Sequence, residues 1–405
     1  MLNVVILNGG RGASTIIPSL LTRQRLHITS VVNAYDDGKS TGSIRRFFGM
    51  LGPSDIRKVQ ELMLPKDDPD HENYATLFQY RFPLDCNRED VLEQLKLFLD
   101  SESIELIGIR LNNTRVREKL KFFLAEFLKG LNIIEKTRQE QFDFTDCSLM
   151  NCLYAGAFLT SNRNIEQATK NIDQLFQLSG TVLPTSIEDK KLVAQRENGE
   201  ILYSEAEIVE LRSNVRIKQI YLLDQILDKS TFATMDNNEQ HSYLERHHCY
   251  VGVSPGVRLA LQRAEIIIYS AGTQHSSLYP TYMSAGLAES ISNNHSALKV
   301  FITNIGADYE TPSYKASDYI LGAHHYLNLS DERNYGMEEL FDVIFINQSH
   351  FKDDETYVEY DEEGFHDISI PCLVDIFESE DNPGKHNGNK VVKTILDLYE
   401  DKPFQ

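Results

Sequence analysis

A doubly wound, mostly parallel α/β sheet is the fold class this sequence predicts, on three observations. The chain opens with an apolar run, Val4–Leu7, a glycine-rich bend, a helical stretch from about Ser14 to Leu21, and a second apolar run, Ile28–Tyr35. Strand, glycine turn, helix and strand in that order make a βαβ unit, whose two strands are parallel. Three further apolar runs, within 265–272, 299–306 and 341–348, follow later, with helical segments between several of them. Finally, each run is short and reads as buried, which suits strands covered by helices on both faces. Tyr319–Gly322 reads as one more, weaker strand.

Between these elements the pattern changes. Residues 88–140 hold two helical periods, 89–100 and 114–131, and read as a helical insertion. The core is then assigned to residues 1–87 and 141–405. Within it, about 181–217 reads as a small β elaboration of strands and turns. Asp67–Glu72 and Asp353–Glu363 read as solvated acidic loops, and Asn389–Tyr399 as an amphipathic closing helix.

Composition narrows the function. The formal net charge of −20 would repel a phosphate backbone, which argues against nucleic-acid partners. No run of 18 or more apolar residues offers a membrane span. The start, Met1–Gly10, has no basic region and reads as a buried strand rather than a signal peptide. Five cysteines, odd in number and without a CxxC spacing, fit neither a disulfide framework nor a zinc site. They fit packed thiols in a reducing cytoplasm.

Three segments carry candidate chemistry. Gly9, Gly10 and Gly12 follow the first strand, where glycine lets backbone approach a ligand and the next helix aims free N–H groups at the same place. Ser14 or Thr15 would cap that helix or touch phosphate; the spacing is not GxGxxG, and a plain tight turn is the alternative. Asp36 and Asp37 end the second strand and lead into Ser40, Thr41 and Gly42. The Gly38-Lys39-Ser40 triplet is no Walker A motif, because the required first glycine falls on Asn33. Two adjacent carboxylates at a strand end suit sugar hydroxyls or Mg²⁺, and a capped polar turn is the alternative. Either Arg45 or Arg46 would face the ligand, Ser54 would cap the next helix, and Asp55 would serve its dipole. The third segment, Ser270–Pro280, places Gly272, Thr273 and Ser276 after an apolar strand, with His275 a proton carrier or a surface or hydrogen-bonded residue. His247-His248-Cys249 lacks further ligands nearby and is not read as a metal site.

Taken together these segments resemble the family of 2-phospho-L-lactate transferases and YvcK-type gluconeogenesis factors. The resemblance is strongest over Ile28–Lys58 and continues through Leu77–Phe82, Val182–Ser186, Ser204–Ile208, Glu265–Pro280, Lys299–Thr311, Phe341–Gln348 and His386. Departures fall at Asn8–Gly12, at Asp146–Asn151, where a serine and an asparagine are kept, and at Ser270–Thr273. The resemblance implies a Rossmann-like core and, of the two branches, the YvcK one: a regulatory protein that binds UDP-sugars. The other branch implies a transferase that moves a phospholactyl group from a guanylated donor to a deazaflavin with Mg²⁺.

The expected ligand is therefore a nucleotide or nucleotide sugar. Gly9, Gly10, Gly12 and Ser14 would meet phosphate, Asp36 and Asp37 the ribose or a metal held by Asp37, and Ser40, Thr41, Gly42, Arg45 and Arg57 the diphosphate. Asn151, Gly272, Thr273 and Ser276 would close the opposite wall. In an enzyme, Asp37 or Asp55 with Mg²⁺ would be catalytic. A scaffold that has lost its ligand is the third reading, and a homodimer is left open.

Overall fold

The computed structural model describes residues 1–10, 12–101, 103–104, 107–348 and 356–401. Residues 353–355 of the second acidic stretch lie outside them. Seven strands form the central sheet: β1 (Leu2–Asn8), β2 (Leu26–Val32), β3 (Thr181–Pro184), β4 (Ile266–Tyr269), β5 (Leu298–Ile302), β6 (Val343–Asn347) and β7 (Cys372–Asp375). Their order is β7-β6-β5-β4-β1-β2-β3, and every pairing is parallel. Helices cover the sheet, as the continuously apolar strands require: β1 is buried from Val4 onward. The winding reverses at β1, with β2 and β3 to one side and β4 to β7 to the other. The crevice above such a reversal, at the carboxyl ends of the strands, is where α/β sheets bind ligands.

An asparagine recurs at these carboxyl ends. Backbone groups there have left the ladder but remain buried, and a short side-chain amide supplies both a donor and an acceptor. Asn8 Oδ1 accepts from Ser30 Oγ at 2.6 Å, and Asn33 Nδ2 donates to Ser276 O at 2.8 Å. Asn304 Oδ1 accepts from Gly272 N at 2.9 Å, and Asn347 Oδ1 from Phe377 N at 2.8 Å. Each strand end is thereby tied to a neighbouring segment, which holds the rim in shape.

The helical segment holds Arg88–Asp100 and Thr114–Arg138, joined through a two-stranded antiparallel ladder of Ser103–Ile104 and Ile109–Arg110. Asn87 and Asn113 cap the two helices. Val116, Leu120, Phe123, Leu124, Phe127 and Leu131 recur at three- and four-residue intervals and are buried against Leu149–Thr160. A Cβ on Gly156 would lie 1.8 Å from Phe123 O, so glycine is what lets these two helices touch.

Several sequence expectations are corrected here. Tyr319–Gly322 is not a strand: it lies inside the helix Ala316–Leu327, whose Tyr319, Ile320, Ala323, Tyr326 and Leu327 are buried at helical spacing. Four residues are too few to separate the two periods. Thr181–Pro184 is the edge of the central sheet, not part of the β elaboration, and Pro184 is tolerated because β3 has a neighbour on one side only. The elaboration is Lys191–Arg196, Ile201–Leu202 and Ile217–Leu223, antiparallel, with the helix Glu205–Glu210 between its second and third strands. Ser54 is the first residue of its helix rather than the cap, which is Pro53.

Asp67–Glu72 is not wholly solvated either. Asp70 is buried and accepts from Asn112 Nδ2 and Asn113 N, both at 2.8 Å. These bonds hold its carboxyl below the usual range despite burial, which acts the other way. Asp70→Ala would strand both donors and is expected to cost about 1–3 kcal/mol in a urea-unfolding measurement. Among the described residues no helix is long and apolar enough to cross a membrane.

Candidate functional site

A cleft of about 1040 Å³ opens over the carboxyl ends of β2, β1, β4 and β5. That size accommodates a nucleotide-sized molecule. Its floor is the bend after β1, and side-chain-free backbone is required there. A Cβ on Gly12 would stand 2.3 Å from Ala271 O, and one on Gly10 2.3 Å from Asp55 Oδ1. Both are far inside van der Waals contact, so the bend is pressed between the loop after β4 and the helix Ser54–Leu62. Three segments distant in sequence thus share one wall.

Of the sequence-predicted residues, Gly9, Gly10, Gly12, Ser14, Asp36, Thr41, Asp55, Arg57, Gly272, Thr273 and Ser276 line this cleft. Asp37, Ser40, Gly42, Arg45 and Asn151 do not; they stand behind it. Asp37 Oδ1 accepts from Ala206 N at 3.0 Å while Asp37 N donates to Glu205 Oε2 at 3.2 Å, a reciprocal clamp between the β2 loop and the helix Glu205–Glu210. Gly42 lies so close to the loop that a Cβ would meet Asp37 O at 2.0 Å. Arg45 is buried and donates to Tyr35 O at 2.5 Å, Asp36 O at 3.2 Å, Asp189 Oδ1 at 2.6 Å and Lys190 O at 2.7 Å. It braces the aspartate loop from below. Ser40 Oγ accepts from Arg81 Nη2 at 3.2 Å, and Asn151 is fully buried beside it.

His275 is also placed behind the wall. Its ring is buried and lowered to about 3 by desolvation, so it stays neutral at physiological pH and does not act as a proton carrier in the cleft. The five thiols are free, with Cys147 and Cys152 packed 3.8 Å apart in the core.

The lining also contains residues that sequence reading did not select: Lys58, Arg81, Glu205, Asn304, Asp308 and Lys385. Lys58 and Arg81 sit on ordinary helical or loop patterns with no local signal. Asn304 could have been found from the strand-end asparagines, and Glu205 from the segment Ser204–Ile208. Glu205 matters electrostatically. Burial, then Asp36 and Asp55, raise its carboxyl well above the ordinary value. Burial, then Asp55, likewise raise Asp36, while Gly38 N and Ser54 partly offset this. Lys58 Nζ pairs with Asp55 Oδ1 at 2.7 Å. The cleft therefore joins glycine backbone, hydroxyls and three mutually repelling carboxyls to two arginines, Arg57 and Arg81.

Comparison with known proteins agrees with this architecture. The sequence model described as 2-phospho-L-lactate transferase CofD matches residues 4–380. A gluconeogenesis factor of Listeria monocytogenes is 24% identical over 401 residues, covering 97% of this chain and 94% of that protein. A gluconeogenesis factor of Halalkalibacterium halodurans is 24% identical, covering 98% and 96%. The crystal structure of a UPF0052-family protein from Bacillus halodurans superposes with a TM-score of 0.68 at 21% identity, covering 98% of this chain and 100% of the other, and so shares the fold. With the family match running through nearly the whole sheet and through the three loops that meet in the cleft, this chain belongs to the 2-phospho-L-lactate transferase CofD family.

Proposed function

We propose that this protein binds a nucleotide-type ligand, a nucleotide sugar in the first instance, in the cleft above β1, β2 and β4, and acts in the cytoplasm as a regulator of the kind its gluconeogenesis-factor relatives are named for. One observation carries the reading: the bend after β1, the loop of Asp36 and the loop of Thr273 meet in a single crevice at the switch point of a parallel sheet. Backbone N–H groups of the bend and the hydroxyls of Ser14, Thr273 and Ser276 suit phosphate oxygens, and Asp36 suits a ribose hydroxyl.

A second reading, a transferase using Mg²⁺, is favoured by the carboxyls of Asp36, Asp55 and Glu205. Hard oxygen donors fit that ion. Among the described residues no three such groups converge closely enough to hold a metal by themselves. Mg²⁺ bound through one or two carboxylates together with ligand phosphates matches this arrangement, and Asp36 and Asp55, which line the cleft, would hold it rather than Asp37. Its charge would stabilise phosphate oxygens there. The chain's own share is to fix the two carboxylates: Asp36 through Gly38 N at 3.0 Å and Asp55 through Lys58.

A thermal-shift panel of UDP-sugars, GDP, GMP and a deazaflavin, each with and without Mg²⁺, tests these readings. Stabilisation at a hundredfold excess over Kd should reach about 2.7 kcal/mol. A UDP-sugar response without turnover supports the regulator; paired donor and acceptor responses support the transferase; silence throughout leaves only a scaffold. Gly12→Ala, whose new methyl would force the Ala271 carbonyl away, is expected to abolish the response while leaving a cooperative unfolding transition. Undiminished binding in that variant would remove the bend from the site.

A further inference from the structure

Arg57 is a buried cation without an ionic partner among the described residues. It is 5% exposed, and its one described hydrogen bond goes to the neutral carbonyl of Phe78. Its Nε has no partner. Among the described residues no carboxylate lies within salt-bridge reach of it. Glu61 is the carboxylate most felt by it, yet Gln79 Nε2 holds Glu61 Oε1 at 2.6 Å. Buried charges are ordinarily paired, because desolvation of a lone ion costs several kcal/mol.

A second cation stands beside it. Arg81 lines the same stretch of cleft, pinned by Asp146 Oδ1 at 2.6 Å from its Nε and by Ser40 Oγ at 3.2 Å from its Nη2. Arg81 also makes an antiparallel bridge with Ser148, which begins the twelve-residue helix Leu149–Thr160. Ser148 Oγ and Asn151 Oδ1 are buried there without partners among the described residues. The positive end of that helix therefore adds to the same corner. Elsewhere in the lining acids outnumber bases, with Asp36, Asp55, Glu61, Glu205, Glu210 and Asp308 against Lys58 and Lys385. An anion entering the cleft without a metal is steered away from those groups and toward the arginines.

We propose that the Arg57–Arg81 corner is a second anion subsite, separate from the bend after β1, which takes a phosphate or carboxylate of the bound molecule or of a co-substrate. This rests on the cleft being the ligand site and deepens that reading: the full ligand set carries an anionic group apart from the diphosphate, as a nucleotide sugar with a carboxylate on its sugar does, or as a separate phosphorylated acceptor does.

Calorimetric titration of the full chain with inorganic phosphate, without Mg²⁺, tests the subsite. One saturable site is expected. Arg81→Gln is expected to weaken it at least tenfold, Arg81→Lys less, and Arg258→Gln, on the exposed far surface, not at all. Phosphate binding indifferent to Arg81→Gln, or no binding, overturns the subsite. UDP-glucuronate and UDP-glucose serve as the second arm, and a preference for the former that disappears in Arg81→Gln assigns the subsite to the nucleotide sugar itself. Phosphate binding that depends on Arg81, with no response to any nucleotide, keeps the subsite and removes the nucleotide reading. Nucleotide binding without phosphate binding does the reverse.

Discussion

Replacing Arg45 with methionine is expected to lower the unfolding free energy by about 3–5 kcal/mol, because one partner of a buried charged network is removed and the others are left without it. The guanidinium is 1% exposed and spans two loops: the carbonyls of Tyr35 and Asp36 after β2, and Asp189 with Lys190 O before the antiparallel unit. Methionine fills the volume but offers none of these donors. Asp189 keeps Lys191 Nζ at 3.0 Å, which limits the loss at that end. The three carbonyls have no such substitute. The same variant should weaken ligand binding, since the Asp36 backbone is what Arg45 holds. Urea midpoints for Arg45→Met and Arg45→Lys, with unchanged slope, decide the matter; a shift worth less than about 1 kcal/mol would mean that solvent or a rearranged loop replaces the bonds.

The second large effect concerns pH. Asp173 is raised to about 7 and Glu310 to about 8, in both cases first by burial. Asp173 accepts from Gln60 Nε2 at 2.6 Å and Val182 N at 2.9 Å. Glu310 accepts from Ser276 Oγ at 2.5 Å and Ser276 N at 2.9 Å. In the unfolded chain both carboxyls titrate near 4. Between pH 4 and 8 the folded protein therefore holds more protons than the unfolded one, and stability falls as pH rises. The contribution is complete below pH 4 and lost as pH passes 7 to 8, with a slope of up to about 1.4 kcal/mol per pH unit for each group. These two groups alone make the protein several kcal/mol less stable at pH 8.5 than at pH 5.5. His248, His275 and His386, which burial lowers to about 4, about 3 and about 4, oppose that trend only below about pH 7. Glu310→Gln keeps the shape, stays neutral, and should flatten the upper part of that profile. A profile rising from pH 7 to 8.5, or one unaltered in Glu310→Gln, would show that the donors from Ser276 outweigh desolvation and hold the carboxylate ionised.

Glu310 also bears on the site. Its two bonds to Ser276 fasten the loop after β4 to the loop after β5, and Asn304 does the same at Gly272 through bonds of 2.9 and 3.0 Å. The wall facing the bend is thus held by residues that do not themselves need to touch a ligand.

How much of this was legible differs by residue. Val4–Leu7, Ile28–Val32, Ile266–Tyr269 and Val343–Asn347 declare themselves as strands because parallel strands covered on both faces are largely apolar rather than alternating. Glycines and hydroxyls at the ends of such runs point to the cleft for the same local reason, and eleven of the selected residues line it, from Gly9 to Ser276. Short windows fail where two periods agree over four residues, as at Tyr319–Gly322, and where an edge strand carries a proline, as at Pro184.

The sequence by itself determined the doubly wound parallel sheet and which loops bear phosphate-compatible chemistry, since burial and chain direction are written in consecutive residues. Only the tertiary structure decided which member of each polar cluster faces the cleft. Asp36 lines it while Asp37 bonds Ala206 N; Arg57 and Arg81 meet in one corner while Arg45 lies beneath the loop. Adjacent residues of like chemistry are indistinguishable along the chain. Their roles are set by packing partners 10 to 169 positions away, whose approach depends on the whole sheet being closed.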